Sequence, residues 1–461
     1  MVTYLDPLQP VQSCLIARIW CHLRALIRLA GPIVISRAGI LVMAMADTAM
    51  VGRFDTKELA YMAIGGALII PIMLVSMGMS MGTLVLTSNS FGANEFKRCG
   101  AIWRCSLPYA LMLGLVAVGI AYFGPNWLAL TGQTERLANE GGTIMRIIGL
   151  GLPGYLLFMV SAFFLEGIRR PLPSMFVMIA ANLLNFILNF WFISGGLGLD
   201  ANGAAGAAWA TVIARWFLGG TVLIYIWFMT DYTLFGIRDK IAINWKSWSL
   251  QRRLGYASAL SIGVEAASFA SLNIFAGWMG EQSVAAYCIG INVLSIMFMI
   301  ALGIGVASSV RVGISYGRKD YPDAALAGWT GLGANSIALV IIGGSVSAFA
   351  YNVTSMYSTD LALVEYATPL VFMCGVAIVF DGGQAVMNNV LRGRQDVWIP
   401  SGLQTISYIG FLIPLGWILS IYFDHGPIGL FEGIILTSIL ALSMLMIRFY
   451  LLCRRDQKKS T

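Results

Sequence analysis

Charge is scarce in this chain, since only 11% of its 461 residues are Asp, Glu, Lys or Arg and 58% are hydrophobic. A soluble domain has about 25% charged residues, so this composition excludes a soluble globular protein. Histidine is rarer still. His22 and His425 are the only two, too few for a metal cluster, and the absence of an HExxH motif argues against a membrane-embedded metalloenzyme. The seven cysteines form no CxxC pair and predict no disulfide framework.

Long stretches without any charged residue take the place of the missing charge. Each is longer than the roughly 20 apolar residues that one transmembrane helix needs; they cover 59–94, 105–134, 171–199, 282–310, 324–359 and 397–423. Because apolar and polar residues do not alternate in them, they do not fit a transmembrane β-barrel. The pattern predicts an all-α integral membrane protein with twelve spans, at 27–51, 60–88, 101–123, 144–165, 172–196, 206–229, 254–279, 284–312, 326–350, 364–390, 398–423 and 429–452.

Basic residues are distributed unevenly over the segments that connect these spans. The two termini and the even-numbered loops contain 21 Lys and Arg residues, whereas the odd-numbered loops contain three. This bias satisfies the positive-inside rule with both termini in the cytoplasm. No cleavable signal peptide is evident, and we expect residues 1–26 to form a cytoplasmic segment. Since the net charge of +7 is spread over these loops, no nucleic-acid partner is expected.

The longest polar connection, 230–253, divides the chain into two halves that resemble each other. We expect two pseudo-symmetric six-helix lobes of the same orientation, 27–229 and 254–452, joined by this cytoplasmic linker and followed by a cytoplasmic tail, 453–461. In such parallel repeats the substrate site lies between the lobes. Glycines at span ends recur at an offset of 223 to 226 residues in three pairs: Gly92/Gly317, Gly167/Gly393 and Gly203/Gly426.

Three acidic residues lie well inside predicted spans: Asp47 in the first, Glu265 in the seventh and Asp381 in the tenth. A charge at the bilayer centre costs at least about 2.5 kcal/mol on insertion scales. Residues of this kind usually line ion or proton pathways, so we interpret these three as cation-coupling residues. The alternative is a buried ion pair with one of the arginines inside the spans, which are Arg37, Arg146, Arg215 and Arg311.

Polar side chains in the fifth, seventh and tenth spans recur at spacings of three and four residues, which places them on one helix face. Oxygen atoms that converge from several helices suit a hard cation such as Na⁺, with Glu265 and Asp381 as candidate ligands. A lone desolvated carboxylate suits a proton carrier instead. The alternative is that the polar faces only join helices by hydrogen bonds. The candidate cavity residues are Asn182, Asn185, Asn189, Ser261, Ser268, Gln384 and Asn388.

The segment PIVISRAGILVMAMADTAMVGRF, at 32–54, resembles the opening motif of the multidrug and toxic compound extrusion (MATE) family. The stretches FGANEFKR, EGIRRP and LRGRQD resemble the same family, and the resemblance extends over essentially the whole chain. It implies a V-shaped fold of two six-helix lobes. Glu265 and Asp381 resemble the acidic cation-site residues of the NorM-like branch, and Asn185 and Asn189 fit that branch. Ala377 stands where some Na⁺-coupled members have tyrosine, so the ion stays open between Na⁺ and H⁺.

The resemblance implies a multidrug efflux antiporter of the bacterial inner membrane, which exports bulky, mostly cationic organic compounds in exchange for Na⁺ or H⁺. No enzymatic activity and no cofactor besides the coupling ion are expected; the expected partners are small-molecule drugs and membrane lipid, and the protein is expected to be monomeric. A rival is a flippase for lipid-linked precursors, which would use cavity cations such as Arg37 and Arg215 to hold diphosphate. A channel or receptor has no supporting motif.

Overall fold

The computed structural model describes residues 15–132, 134–195, 200–229, 231–240 and 248–460. Every regular element within these residues is a helix. Three parts of the sequence predictions lie outside the described residues: positions 1–14 of the N-terminal segment, positions 230 and 241–247 of the linker, and the last residue of the tail.

The helices are numbered in chain order. Those of the first half are α1 (Leu15–Phe54), α2 (Thr56–Ser80), α3 (Gly82–Gly92), α4 (Phe96–Tyr122), α5 (Gly124–Leu130), α6 (Glu135–Gly149), α7 (Leu152–Gly167), α8 (Leu172–Ser194) and α9 (Gly203–Trp227). Those of the second half are α10 (Ser249–Trp278), α11 (Glu281–Gly317), α12 (Tyr321–Ala348), α13 (Ala350–Ser355), α14 (Leu361–Gly393), α15 (Trp398–Ser407), α16 (Ile413–Trp417) and α17 (Pro427–Ser460).

Eleven helical stretches in the described part of the chain are long and apolar enough to cross a membrane, and α6 with α7 forms a twelfth, bent one. The prediction of twelve helical spans is therefore confirmed. The fourth span differs in detail from the predicted 144–165, because it begins at Glu135 and bends by 41° between α6 and α7. Pro153 lies in the first turn of α7, where its missing N–H prevents α6 from continuing as one straight helix.

The eleventh span is irregular. It begins as α15, and two π-helical stretches, Tyr408–Leu412 and Ile418–Tyr422, flank the short α16 that contains Pro414. Proline interrupts the ordinary helical hydrogen bonds between residues four apart, and π turns, which bond residues five apart, occur on either side of it. Such turns are frequent at functional sites.

Glycines of the two halves meet where α3 packs against α11. Gly92, the last residue of α3, lies against the backbone of Ile314, and Gly317, the last residue of α11, lies against the backbone of Asn89. A Cβ atom on either glycine would overlap the carbonyl oxygen of the other helix. Asn89 and Ile314 are separated by 225 residues, as are Gly92 and Gly317, so the contact is reciprocal between repeat-related positions.

Buried polar contacts join the halves near this glycine contact. Gln251 at the start of α10 donates to the hydroxyls of Thr83 (3.0 Å) and Ser106 (2.5 Å) in the first half. His22 in α1 contacts Asp323 at the start of α12, with 2.9 Å between Nε2 and Oδ1. The two halves are therefore packed against one another at the end of the bundle that contains these residues.

Candidate functional site

Glu265 in α10 and Asp381 in α14 are connected through residues of the eleventh span. Gln404 donates from Nε2 to Glu265 Oε2 at 2.9 Å, and Tyr408 donates its hydroxyl hydrogen to Asp381 Oδ1 at 3.0 Å. Since Gln404 and Tyr408 are four residues apart, they lie on one face of their helix. That face therefore holds both carboxylates, which we call the C-half cluster together with the residues that contact them.

On the Asp381 side of the C-half cluster, donors come from three helices. Ser438 of α17 donates to Asp381 Oδ1 at 3.3 Å, in addition to the bond from Tyr408. Gln384, one turn after Asp381 in α14, donates from Nε2 to the Tyr408 oxygen at 3.1 Å. Asp381 is buried, with 2% of its surface exposed. The predicted pair of Asp381 and Gln384 thus shares one hydrogen-bonded group.

On the Glu265 side, the amides of Gln404 and Asn388 and the hydroxyl of Ser261 form one group. Asn388 donates from Nδ2 to Ser261 Oγ at 3.1 Å, and both residues also donate to Gln404 Oε1. Glu265 itself is partly exposed. Ser268 is buried but donates to the carbonyl of Val264 in its own helix at 2.9 Å, so its hydroxyl is directed to the backbone rather than to this cluster.

Two oxygen atoms of the C-half cluster have no hydrogen-bond partner among the described residues. They are Gln384 Oε1 and Asn388 Oδ1, both buried. A buried amide oxygen without a partner costs about 1–3 kcal/mol, and such a group in a folded protein calls for an explanation. Amide and carboxylate oxygens are the ligands that hard cations prefer. These two oxygens beside two carboxylates therefore match the donor set that a small cation needs.

The charges around the cluster are unbalanced. Within the described residues, neither Glu265 nor Asp381 forms an ion pair. Asp381 and Arg392 are the charged groups that act on Glu265, and the Arg392 guanidinium is directed to Met81 of the first half, 3.4 Å from its sulfur. Two neighbouring carboxylates disfavour full ionisation of both, so this arrangement favours uptake of a proton or a metal cation.

Asp47 lies in a separate group in the first half, the N-half cluster. Asn189 donates to its Oδ1 at 2.6 Å and Thr211 to its Oδ2 at 2.5 Å. Asn185 contacts both donors, accepting from Asn189 at 3.3 Å and donating to Thr211 at 3.4 Å. Asn182, the third asparagine of the predicted stripe, donates to a backbone carbonyl of its own helix at 2.9 Å. The structure thus brings Asp47, Asn185 and Asn189 together and leaves Asn182 out.

A fourth acid inside a span is paired with arginine. Arg37 donates from one nitrogen to both oxygens of Glu166, at 2.8 and 3.0 Å, and its guanidinium lies 5.2 Å from the centre of the Phe163 ring. Glu166 is fully buried. Arg37, which the sequence offered as a partner for one of the three chosen acids, is therefore neutralised by Glu166, a residue that falls just past the predicted end of the fourth span.

Sequence reasoning missed four hydrogen-bond donors of these clusters: Thr211, Gln404, Tyr408 and Ser438. Gln404 and Tyr408 were detectable, because they are spaced four residues apart in the uncharged stretch 397–423, the same kind of spacing that identified the asparagines. Thr211 and Ser438 are single polar residues in apolar helices, and nothing in the sequence distinguishes them from hydroxyls that bond their own backbone.

Comparisons with known proteins give a consistent result. The MatE family model matches residues 32–191 and 257–418, two stretches that begin 225 residues apart. A probable multidrug resistance protein NorM from Caulobacter vibrioides is 36% identical over 435 residues, which cover 94% of this chain and 92% of that protein. Multidrug resistance protein PmpM from Pseudomonas aeruginosa is 28% identical over 449 residues, covering 95% of this chain and 93% of that protein.

Solved structures share the fold at low sequence identity. The crystal structure of the eukaryotic MATE transporter AtDTX14 is 19% identical, with a TM-score of 0.86 and coverage of 96% of this chain and 100% of that chain. A MOP superfamily transporter from Pyrococcus furiosus is also 19% identical, with a TM-score of 0.83 and coverage of 95% and 97%. Its title states that reverse polarity of the binding pocket suggests a different function.

Proposed function

Because the chain belongs to the MATE family, we propose that it is a multidrug efflux transporter of the bacterial inner membrane, which exports bulky organic cations in exchange for Na⁺ or H⁺. The names of the relatives from Caulobacter vibrioides and Pseudomonas aeruginosa, both multidrug resistance proteins, support the export of drugs. They also favour a transporter over an enzyme.

One observation supports cation coupling above the others. Glu265 and Asp381, from two different helices, are held without an ion pair among the described residues and beside the unpartnered oxygens of Gln384 and Asn388. Burying acidic groups inside a membrane protein is costly and usually serves an ion pathway. A bound Na⁺ would use these oxygens as ligands, and a proton would instead neutralise one carboxylate.

Exchange follows if cation binding competes with the hydrogen bonds that hold the eleventh span. A cation at Glu265 and Asp381 takes lone pairs that now accept from Gln404 and Tyr408. Loss of these bonds frees α15 and the adjoining π-helical stretch from α10 and α14, so the span can move relative to the rest of its lobe. In this mechanism the drug occupies the space between the lobes, and the cation-bound form releases it on the opposite side.

The N-half cluster is proposed as a second, proton-binding site. Asp47 is buried, and each of its oxygens accepts one hydrogen bond, from Asn189 and Thr211. Protonation removes one of these acceptor positions and so changes how α1 is joined to α8 and α9. The described contacts of Asp47 are all with the first half of the chain, which suits a site that acts on its own lobe.

A flippase for lipid-linked precursors is less well supported. Such a protein needs cavity cations for diphosphate, and the Arg37 charge is neutralised by Glu166. Arg215, the other candidate, is placed over the ring of Tyr155 at 5.8 Å. The Pyrococcus furiosus neighbour shows that this fold occurs with a pocket whose polarity suggested a different function, so the choice of cargo depends on the charges, and those favour organic cations.

The orientation in the membrane is part of the proposal. The 21-to-3 distribution of basic residues over the connecting segments supports both termini in the cytoplasm, with residues 230–253 as a cytoplasmic linker between the lobes. On this assignment the glycine contact of Gly92 and Gly317 lies at the cytoplasmic end, and the protein works as a monomer, since both lobes belong to one chain.

The test is ethidium efflux from whole cells that express wild-type protein, Asp381→Asn or Glu365→Gln. Glu365 is exposed and lies in the same helix as Asp381, so it controls for loss of a carboxylate as such. Wild type and Glu365→Gln should extrude the dye, whereas Asp381→Asn should reach the membrane in equal amount and show background efflux. Collapsing the Na⁺ and pH gradients separately identifies the ion. Gradient-driven efflux by Asp381→Asn would refute the site.

A further inference from the structure

A cavity of about 300 Å³ lies on the outside of the bundle, between the start of α12 and the end of α17, and the first turns of α1 also border it. Its lining includes Arg18 of α1, Leu326 and Trp329 of α12, and Tyr450 and Arg454 of α17. Neither the N-half nor the C-half cluster shares a residue with it. Transport as proposed above assigns it no role.

The charge of this cavity is positive. Arg18 lies 3.7 Å from Asp323, but that carboxylate is also contacted by Arg318 at 3.0 Å and by His22 at 2.9 Å. Because one carboxylate is shared by two arginines and a histidine, it does not neutralise Arg18. Arg454 forms no ion pair with the described residues, and its guanidinium lies 6.0 Å from the centre of the Tyr450 ring. Two guanidinium groups thus border one opening.

The cavity continues into apolar surface. Trp329 and Tyr450 line it, and residues of this type concentrate where a membrane meets water. Farther along the same helix faces, at helical spacing, α12 exposes Ile337 and α17 exposes Ile447, with 66% and 60% of their surfaces accessible. A ligand that fits must therefore have a negatively charged head and apolar chains that follow two helices toward the membrane interior.

We propose that this cavity binds the headgroup of an anionic phospholipid. The phosphodiester lies between Arg18 and Arg454, which donate to its oxygens, and the acyl chains lie along α12 and α17. Basic pockets between transmembrane helices are known to bind such headgroups. Because Arg18 belongs to the first span and Arg454 to the last, the lipid joins the two halves at the end where His22 meets Asp323, and stabilises their packing there.

The experiment measures lipid binding to the full-length, detergent-solubilised protein by native mass spectrometry. The probes are phosphatidylglycerol as the anionic lipid, phosphatidylcholine as the zwitterionic lipid and inorganic phosphate as a free anion. Wild type should bind one phosphatidylglycerol in preference to phosphatidylcholine. One arginine contributes about 1 kcal/mol near an anionic surface, so the double variant Arg18→Gln/Arg454→Gln should bind about 30-fold more weakly.

Two further variants separate this site from general surface charge and from misfolding. Arg455→Gln removes the neighbouring charge, which does not line the cavity, and should bind within about twofold of wild type. Ala325→Trp fills the cavity while both arginines remain, and should lose the lipid. Undiminished binding by Ala325→Trp, or an equal loss in Arg455→Gln, would overturn the proposal. So would displacement of the lipid by inorganic phosphate, which would indicate a site for anions alone.

Discussion

Replacing Gly92 by alanine should separate the two halves where α3 meets α11. The added Cβ overlaps the backbone carbonyl oxygen of Ile314, and Gly317 faces Asn89 in the same way. A backbone carbonyl in a helix cannot rotate aside as a side chain does, so the helices themselves must move apart. The perturbation therefore acts on the packing between the halves rather than on either helix alone.

The magnitude follows from the type of contact. Forcing extra volume into a well-packed interface costs about 1–3 kcal/mol, which raises the population of the separated state by about 5- to 150-fold at 1.4 kcal/mol per factor of ten. Gly317→Ala should have a similar effect because its surroundings are the repeat-related ones. The double variant should cost less than the sum of the two, since one separation of the helices relieves both overlaps.

The assay is the labelling rate of a single cysteine, Ser88→Cys, in a protein that lacks the seven native cysteines. Ser88 is fully buried and lies beside Gly313 of the other half, so a maleimide reaches it only when the halves separate. Gly92→Ala should speed labelling by the factor given above and slow dye efflux. Gly66→Ala is the control in the same span, because no atom lies within 4 Å of its added Cβ, and it should label as wild type does.

Unchanged labelling in both Gly92→Ala and Gly317→Ala would refute the reasoning, because it would mean that the reciprocal glycine contact does not limit how closely the halves approach. Faster labelling in Gly66→Ala as well would attribute the effect to altered helix propensity rather than to the interface.

Two predictions concern stability, measured by thermal unfolding in detergent. Glu166→Gln leaves the Arg37 charge buried without its partner and should cost about 3–5 kcal/mol, most of which Glu166→Leu combined with Arg37→Met should restore; an unaltered melting temperature in Glu166→Gln would show that the pair is not needed. Thr211→Val removes a hydrogen bond to the Asp47 carboxylate and should cost about 1.5–3 kcal/mol. Thr143→Val, whose exposed hydroxyl bonds its own helix, should be near neutral, and equal losses in both threonine variants would contradict a specific role for Thr211.

Much of the architecture was predictable from the sequence. Lipid cannot hydrogen-bond the backbone, so each uncharged stretch of sufficient length must be a helix, and the structure confirms twelve such spans. The recurrence of Gly92 at Gly317 indicated the repeat. The bend of the fourth span was only suggested by Pro153, since proline in a membrane helix is compatible with either a mild kink or a break.

Choosing the acids was also possible from the sequence, because a carboxylate inside an apolar run is conspicuous. Asp47, Glu265 and Asp381 were found in this way, and the polar groups around them were partly found by helical spacing. Glu166 escaped because it lies at the predicted edge of its span. Whether these residues couple a cation to transport stays a prediction.

Only the tertiary structure decided which groups meet. Helical periodicity shows which residues share a face, but it does not show which other helix that face packs against. The donation of Tyr408 to Asp381, of Thr211 to Asp47 and the pairing of Arg37 with Glu166 all join helices that are distant in the chain. The physical reason is that the sequence determines each span through its own interaction with lipid, whereas partners across spans depend on how all the helices pack together.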